Sequence, residues 1–176
     1  MSNASEDSSE IPQQAAADDL MATAFHEAGH AVMAEVLGRM VNKVTIAPGK
    51  SQFGIGRLGF CEVGKGRNRA VKDPLEDEAL IMLAGMVAEA RFTGEYCQRG
   101  AAEDLRAVNQ LVGMRAETER QQSKLLRRLL DKTESLLDDE VNAKAVELVA
   151  AELIERTQLK GRSIRHFVNQ ARSPKK

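Results

Sequence analysis

The run His26-Glu27-Ala28-Gly29-His30 constrains this chain more than any other feature. It reads H-E-x-x-H and uses two of the three histidines in 176 residues. On a helix, residues four apart lie about 40° apart around the axis and one turn along it, so both imidazoles can reach one metal ion. Glu27 directly follows the first imidazole, which sets its carboxylate beside the position that a catalytic metal leaves open for water. There it can take a proton from that water. The alternative is a chance match on an amphipathic helix, and the scarcity of histidine argues against it. The pattern therefore demands a helix here and a further metal ligand from elsewhere in the chain.

Composition sets the frame around that helix. A chain of 176 residues with 43% hydrophobic and 29% charged side chains suits one soluble domain with a core of its own. Aromatics are 3% and Trp is absent, so the core must come from Leu, Val, Ile, Met and Ala. Such a core favours packed helices over a sheet sandwich. The expected fold is mainly α (α+β), a helical domain with a small β-sheet or hairpin. A net charge of −1 offers no basic field for nucleic acid or anionic lipid. Cys61 and Cys97 form no C-x-x-C pair and read as small buried apolar residues in a reducing compartment. The stretch from Ala79 to Ala90 is too short to span a bilayer. The polar N-terminus lacks the basic and apolar regions of a signal peptide, so the expected setting is cytoplasmic, without a membrane partner.

Along the chain, residues 1–17 read as a disordered tail, 18–171 as one folded domain and 172–176 as a basic tail. The motif helix is expected from Asp18 to Leu37, with Gly38 as its stop. Val41 to Ile46 reads as a short strand ended by Pro48-Gly49. Phe53 to Val63 reads as a second strand, interrupted by glycines that let another backbone approach closely. Residues 64–69 read as a flexible basic loop. Asp73-Pro74 marks a strong helix start and Gly94 a stop, around a segment apolar over most of its circumference. Further helices are expected from about Ala102 past Val112, from Ser123 to Leu137, from Asp138 to Arg156 and from Ser163 to Gln170, with a break at Leu159-Lys160-Gly161.

A catalytic zinc takes three protein ligands, so one is still missing. His166 lies on the short last helix and reads as a surface or packing residue. Glu35 is five residues beyond His30 and points away from the ligand face. Glu89 and Asp104 remain. The pattern leans slightly toward Glu89, an acid in an apolar helix, because Asp104 has the plainer explanation of a first-turn helix acid.

The stretches T-A-F-H-E-A-G-H-A-V, K-V-T-I-A-P, F-G-I-G, L-A-G-M-V-A-E-A, G-A-A-E-D-L-R-A-V and L-I-E-R-T-Q-L-K-G-R-S-I fall between Leu20 and Phe167. In that order they resemble the peptidase domain of the FtsH family of membrane-anchored AAA proteases. The resemblance implies a zinc metalloendopeptidase in which Asp104 of the D-L pair completes the metal site with His26 and His30. It places Glu89 near the metal, where a buried carboxylate accepting an imidazole N–H would orient the ring. The sequence departs from the family at Ala84-Gly85, where two glycines are usual, and at Ala90, where a second acid is usual. The stretch after Gly113 is also shorter than the family's insert. These residues include neither an ATPase module nor a transmembrane segment.

The expected chemistry is zinc-assisted amide hydrolysis with Glu27 as base. Substrate is expected to add as a strand along Phe53 to Phe60, with Phe53, Gly54, Ile55 and Gly56 as the binding residues. Unfolded proteins or peptides, cleaved without ATP, are the expected substrates. A homo-oligomer is left open, since the resemblance implies hexameric rings. Two rivals stand beside this reading: a metal-containing binding module that hydrolyses nothing, and a peptidase subunit served by a separate ATPase.

Overall fold

The computed structural model describes residues 10–47, 49–50, 56–57, 59–67, 72–97 and 100–173. Helices dominate it, with a small antiparallel sheet beside them, the arrangement that the aromatic-poor composition favours. Helix α1 runs Glu10–Val36. It ends where Gly38 takes a positive φ of 73°, after the Leu37 N–H has closed the last turn onto the Met33 carbonyl. The helix starts well before the expected Asp18. Low hydrophobicity argued for a tail, but helix propensity, with three consecutive alanines at 15–17, carries the helix back to Glu10.

Strand β1, Arg39–Thr45, is followed by a two-stranded ribbon of β2 (Gly49–Lys50) and β3 (Gly56–Arg57), then by β4, Phe60–Arg67. Strand β4 pairs antiparallel with one edge of β1, and the other edge takes β5, Gln158–Lys160. Val41 and Val44 of β1 are buried while Met40 and Asn42 are exposed, as in a half-buried strand.

Three expectations need correction here. The strand expected over Phe53–Val63 is divided; its described parts are β3 and the start of β4. Residues 64–67, read as loop, belong to β4, because Arg39 pairs across from Arg67 and its guanidinium donates to the Gly64 carbonyl. The break at Leu159-Lys160-Gly161 contains β5, with Leu159 opposite Val44. At Gly161 an added Cβ would collide with the Val41 carbonyl, so a glycine is needed where the last helix meets β1.

Helix α2, Pro74–Thr93, starts and stops as expected. The Asp73 side chain accepts from the Glu76 N–H at 3.0 Å, and Gly94 closes the helix at φ 86°. Its buried residues include Leu80, Leu83, Ala84, Gly85, Val87 and Ala88, and it packs chiefly on α1. The two helices touch at their backbones. A Cβ on Gly29 would collide with the Ala84 carbonyl and lie 2.7 Å from the Ala88 methyl. Stacked rings of Phe25 and Phe92, 4.6 Å between centroids, pin the pair one residue before His26.

Helix α3, Ala102–Gly113, follows. A capping box of Thr118 and Gln121 opens α4, Glu119–Asp138, and the Asp139 side chain caps α5, Glu140–Arg156. Helix α6, Gly161–Arg172, closes the fold. The core joins Met33, Leu80, Leu83, Leu137, Leu153 and Ile164, with no aromatic ring among the fully buried side chains of the described residues. No helix among the described residues is long and apolar enough to cross a membrane.

Candidate metal centre

The close contact of α1 and α2 orients the two histidines. His30 Nδ1–H donates to the Ile81 carbonyl at 2.7 Å, and His26 Nδ1–H donates to Glu89 Oε2 at 2.8 Å. With each Nδ1 engaged by an acceptor, the two Nε2 atoms are left to face a common point. Helix α3 brings Asp104 to that point in its first turn. Its Oδ2 lies 3.2 Å from His26 Nε2 and 3.4 Å from His30 Nε2. The three candidate donor atoms all lie within 4.8 Å of one another.

The two separations from Asp104 Oδ2 suit one small cation. Metal–ligand bonds of roughly 2.0–2.1 Å at tetrahedral angles put neighbouring donor atoms roughly 3.3–3.4 Å apart. The charges fit as well. Burial alone would pull the His26 imidazolium pKa down, but hydrogen bonds to Asp104 and Glu89, with the nearby charge of Glu27, push it up to about 10. For Asp104, burial would raise the carboxyl, yet the hydrogen bonds to His26 and His30 hold it well below the usual carboxylate range. Three carboxylates around two imidazoles thus form a pocket of negative potential, in which a cation can replace the His26 proton. Among the described residues, His26, His30 and Asp104 could hold a metal, and the set of two nitrogens and one oxygen suits zinc.

Glu27 is buried, at 6% exposure. An added Cβ on Gly59 would stand 2.5 Å from Glu27 Oε1, so the carboxylate lies against bare backbone just ahead of β4. The motif helix and this strand therefore meet at the residue expected to act as base.

The structure brings His26, Glu27, His30, Glu89 and Asp104 together, and it separates the two acids that spacing left open. Glu89 faces the Nδ1 side of His26, whereas Asp104 faces the Nε2 atoms of both rings. Glu35 sits elsewhere, 3.5 Å from Arg165 of α6. His166 is exposed and packs edge-on against Phe167. Cys97, expected to be buried, is exposed and accepts the Gly100 N–H, while Cys61 is half-buried on β4. Neither belongs to the cluster. Of the expected substrate residues, Phe53, Gly54 and Ile55 lie outside the described residues, and Gly56 is in β3. Sequence reasoning missed the Ile81 carbonyl, which carries no side-chain signal. It also missed the parts played by Gly59 and Gly85, for which a glycine inside a strand segment and another inside a helix were the available signals.

No curated protein matches the chain. The model of peptidase family M41, the family of FtsH peptidase domains, matches residues 15–118, which hold every member of the cluster. That span is more than half of the 176 residues, and the chain belongs to peptidase family M41.

Proposed function

We propose that the chain is a zinc metalloendopeptidase that hydrolyses peptide bonds in unfolded proteins or peptides. The observation that carries this reading is the convergence of two Nε2 atoms and one carboxylate oxygen beside the buried Glu27. His26, His30 and Asp104 would hold the ion. When bound, zinc would acidify a water to a pKa of about 7 and polarise the scissile carbonyl. Glu27 takes the water proton and returns it to the departing amine nitrogen. Glu89 holds the His26 ring by its Nδ1–H, and the Ile81 carbonyl does the same for His30.

Substrate adds as a strand along 53–60. At the described end of that segment, Gly59 lies against the Glu27 carboxylate. Beyond it, β4 pairs with β1 on one edge and with no other strand among the described residues. Backbone pairing is indifferent to side chains, which suits unfolded stretches of varied sequence.

The test is Glu27→Gln, a near-isosteric change that removes the base. The variant is expected to keep its fold and zinc while losing about 10²–10⁴-fold in hydrolysis of an unfolded substrate. Undiminished activity in the zinc-loaded variant would sink the mechanism. A zinc-loaded wild-type protein that cleaves nothing would instead favour the binding module.

A further inference from the structure

Gly85 stands in the interior of α2, where glycine weakens a helix relative to alanine. Its backbone does not call for glycine, since the positive-φ glycines of the described residues are Gly38 and Gly94. Space does call for it. A Cβ at position 85 would overlap His30 Nε2, lie 2.6 Å from His30 Cε1 and 2.7 Å from His26 Nε2. These atoms are the far ends of the two imidazoles. At Gly29, by contrast, the obstacle is the Ala84 backbone.

The difference has a chemical consequence. Side-chain ends can swing aside, so the fold can absorb a methyl group at 85. A swing of either ring moves its Nε2 off the point it shares with Asp104 and strains the Nδ1–H bonds to Glu89 and Ile81. An ion about 2.0–2.1 Å from both Nε2 atoms needs the clearance that the methyl would fill.

We infer that Gly85 is a positioning residue of the metal centre: its missing side chain leaves the space in which both imidazoles converge on the ion. This rests on the metal site proposed above. It also separates the neighbours Ala84 and Gly85, since a methyl is already accommodated at 84, whereas one at 85 would meet the ring nitrogens.

The experiment measures zinc affinity by competition with a chromophoric chelator, and tetrahedral coordination by the visible bands of cobalt(II) in zinc's place. Wild type, Gly85→Ala and Ala84→Gly are compared, with far-UV circular dichroism and chelator-treated melting as fold controls. Gly85→Ala should match the chelator-treated wild type in fold, yet bind zinc about 10–100-fold more weakly and lose the cobalt bands. Ala84→Gly should keep both. Wild-type affinity and spectrum in Gly85→Ala would overturn the inference and leave the metal site standing. A wild-type protein that binds no zinc would remove the metal site and this inference with it.

If Gly85→Ala does not fold, the same change is made in a His26→Ala/His30→Ala background, where the methyl has room. Recovery of the fold there supports the inference. Continued unfolding, with the double variant itself folded, would place the clash elsewhere and overturn it.

Discussion

The sharpest perturbation of the proposed centre is the pair Asp104→Ala and Glu89→Ala, because both carboxylates touch His26 but on opposite nitrogens. Asp104 Oδ2 lies within 3.4 Å of both Nε2 atoms, so its removal deletes a donor from the ion's own shell. Glu89 reaches Nδ1, at 2.8 Å, and acts by fixing the ring and its tautomer. Loss of such an outer partner typically weakens metal binding about 10–100-fold, or roughly 1.4–2.7 kcal/mol. Loss of Asp104 should exceed that range and leave the dialysed protein without zinc. Glu89→Gln should fall between Glu89→Ala and wild type, since an amide oxygen still accepts from Nδ1–H. Zinc content after dialysis and competitive titration against a chelator measure all three. Zinc retained by Asp104→Ala but lost from Glu89→Ala would reverse the two roles and refute the reasoning.

Energy dependence offers a second test. These residues contain no G-x-x-x-x-G-K-[ST] loop, so the purified 176-residue chain should cleave an unfolded substrate at the same rate with and without ATP. A stably folded substrate should resist, because cleavage must wait for unfolding that costs about 5–15 kcal/mol. Stimulation by ATP in the purified system would contradict this, and stimulation only with cell extract would point to a partner ATPase. A third test concerns acid stability. Hydrogen bonds from Arg115 and the Glu76 N–H hold the Asp73 carboxyl at about 2, below its ordinary 3.8. A depressed carboxylate stabilises the fold above its unfolded pKa and loses that contribution as pH falls through the folded one. The melting difference between wild type and Asp73→Ala should therefore be steady well above pH 3.8 and shrink between 3.8 and about 2. A difference unchanged across that window would exclude the linkage.

Much of this protein could be read from its residues in order, because the signals involved are local. The i, i+4 spacing of His26 and His30 requires only a helix, and Asp73-Pro74 and Gly94 bound α2 through backbone geometry that neighbouring residues set. The aromatic-poor composition likewise implied a helical core. Where propensity and hydrophobicity disagreed, as over residues 10–17, hydrophobicity put the expected helix start too late. Strand β5 escaped notice because three residues carry no visible alternation; its existence depends on Val44 lying opposite Leu159, far away in sequence. The same limit governs the site. Glu89 and Asp104 are both acids on helices, and spacing cannot say which nitrogen of His26 each will meet; only the family resemblance chose between them. That geometry follows from how closely α1 and α2 approach, through Gly29, Ala84 and Ala88, and from where α3 then enters. Ile81 and Gly85 take part through a carbonyl and an absent side chain, features that become legible only when the helices are packed together. Local chemistry thus determined which groups could bind a metal, and tertiary packing decided how they face one another, because direction in space depends on contacts that no short stretch of sequence contains.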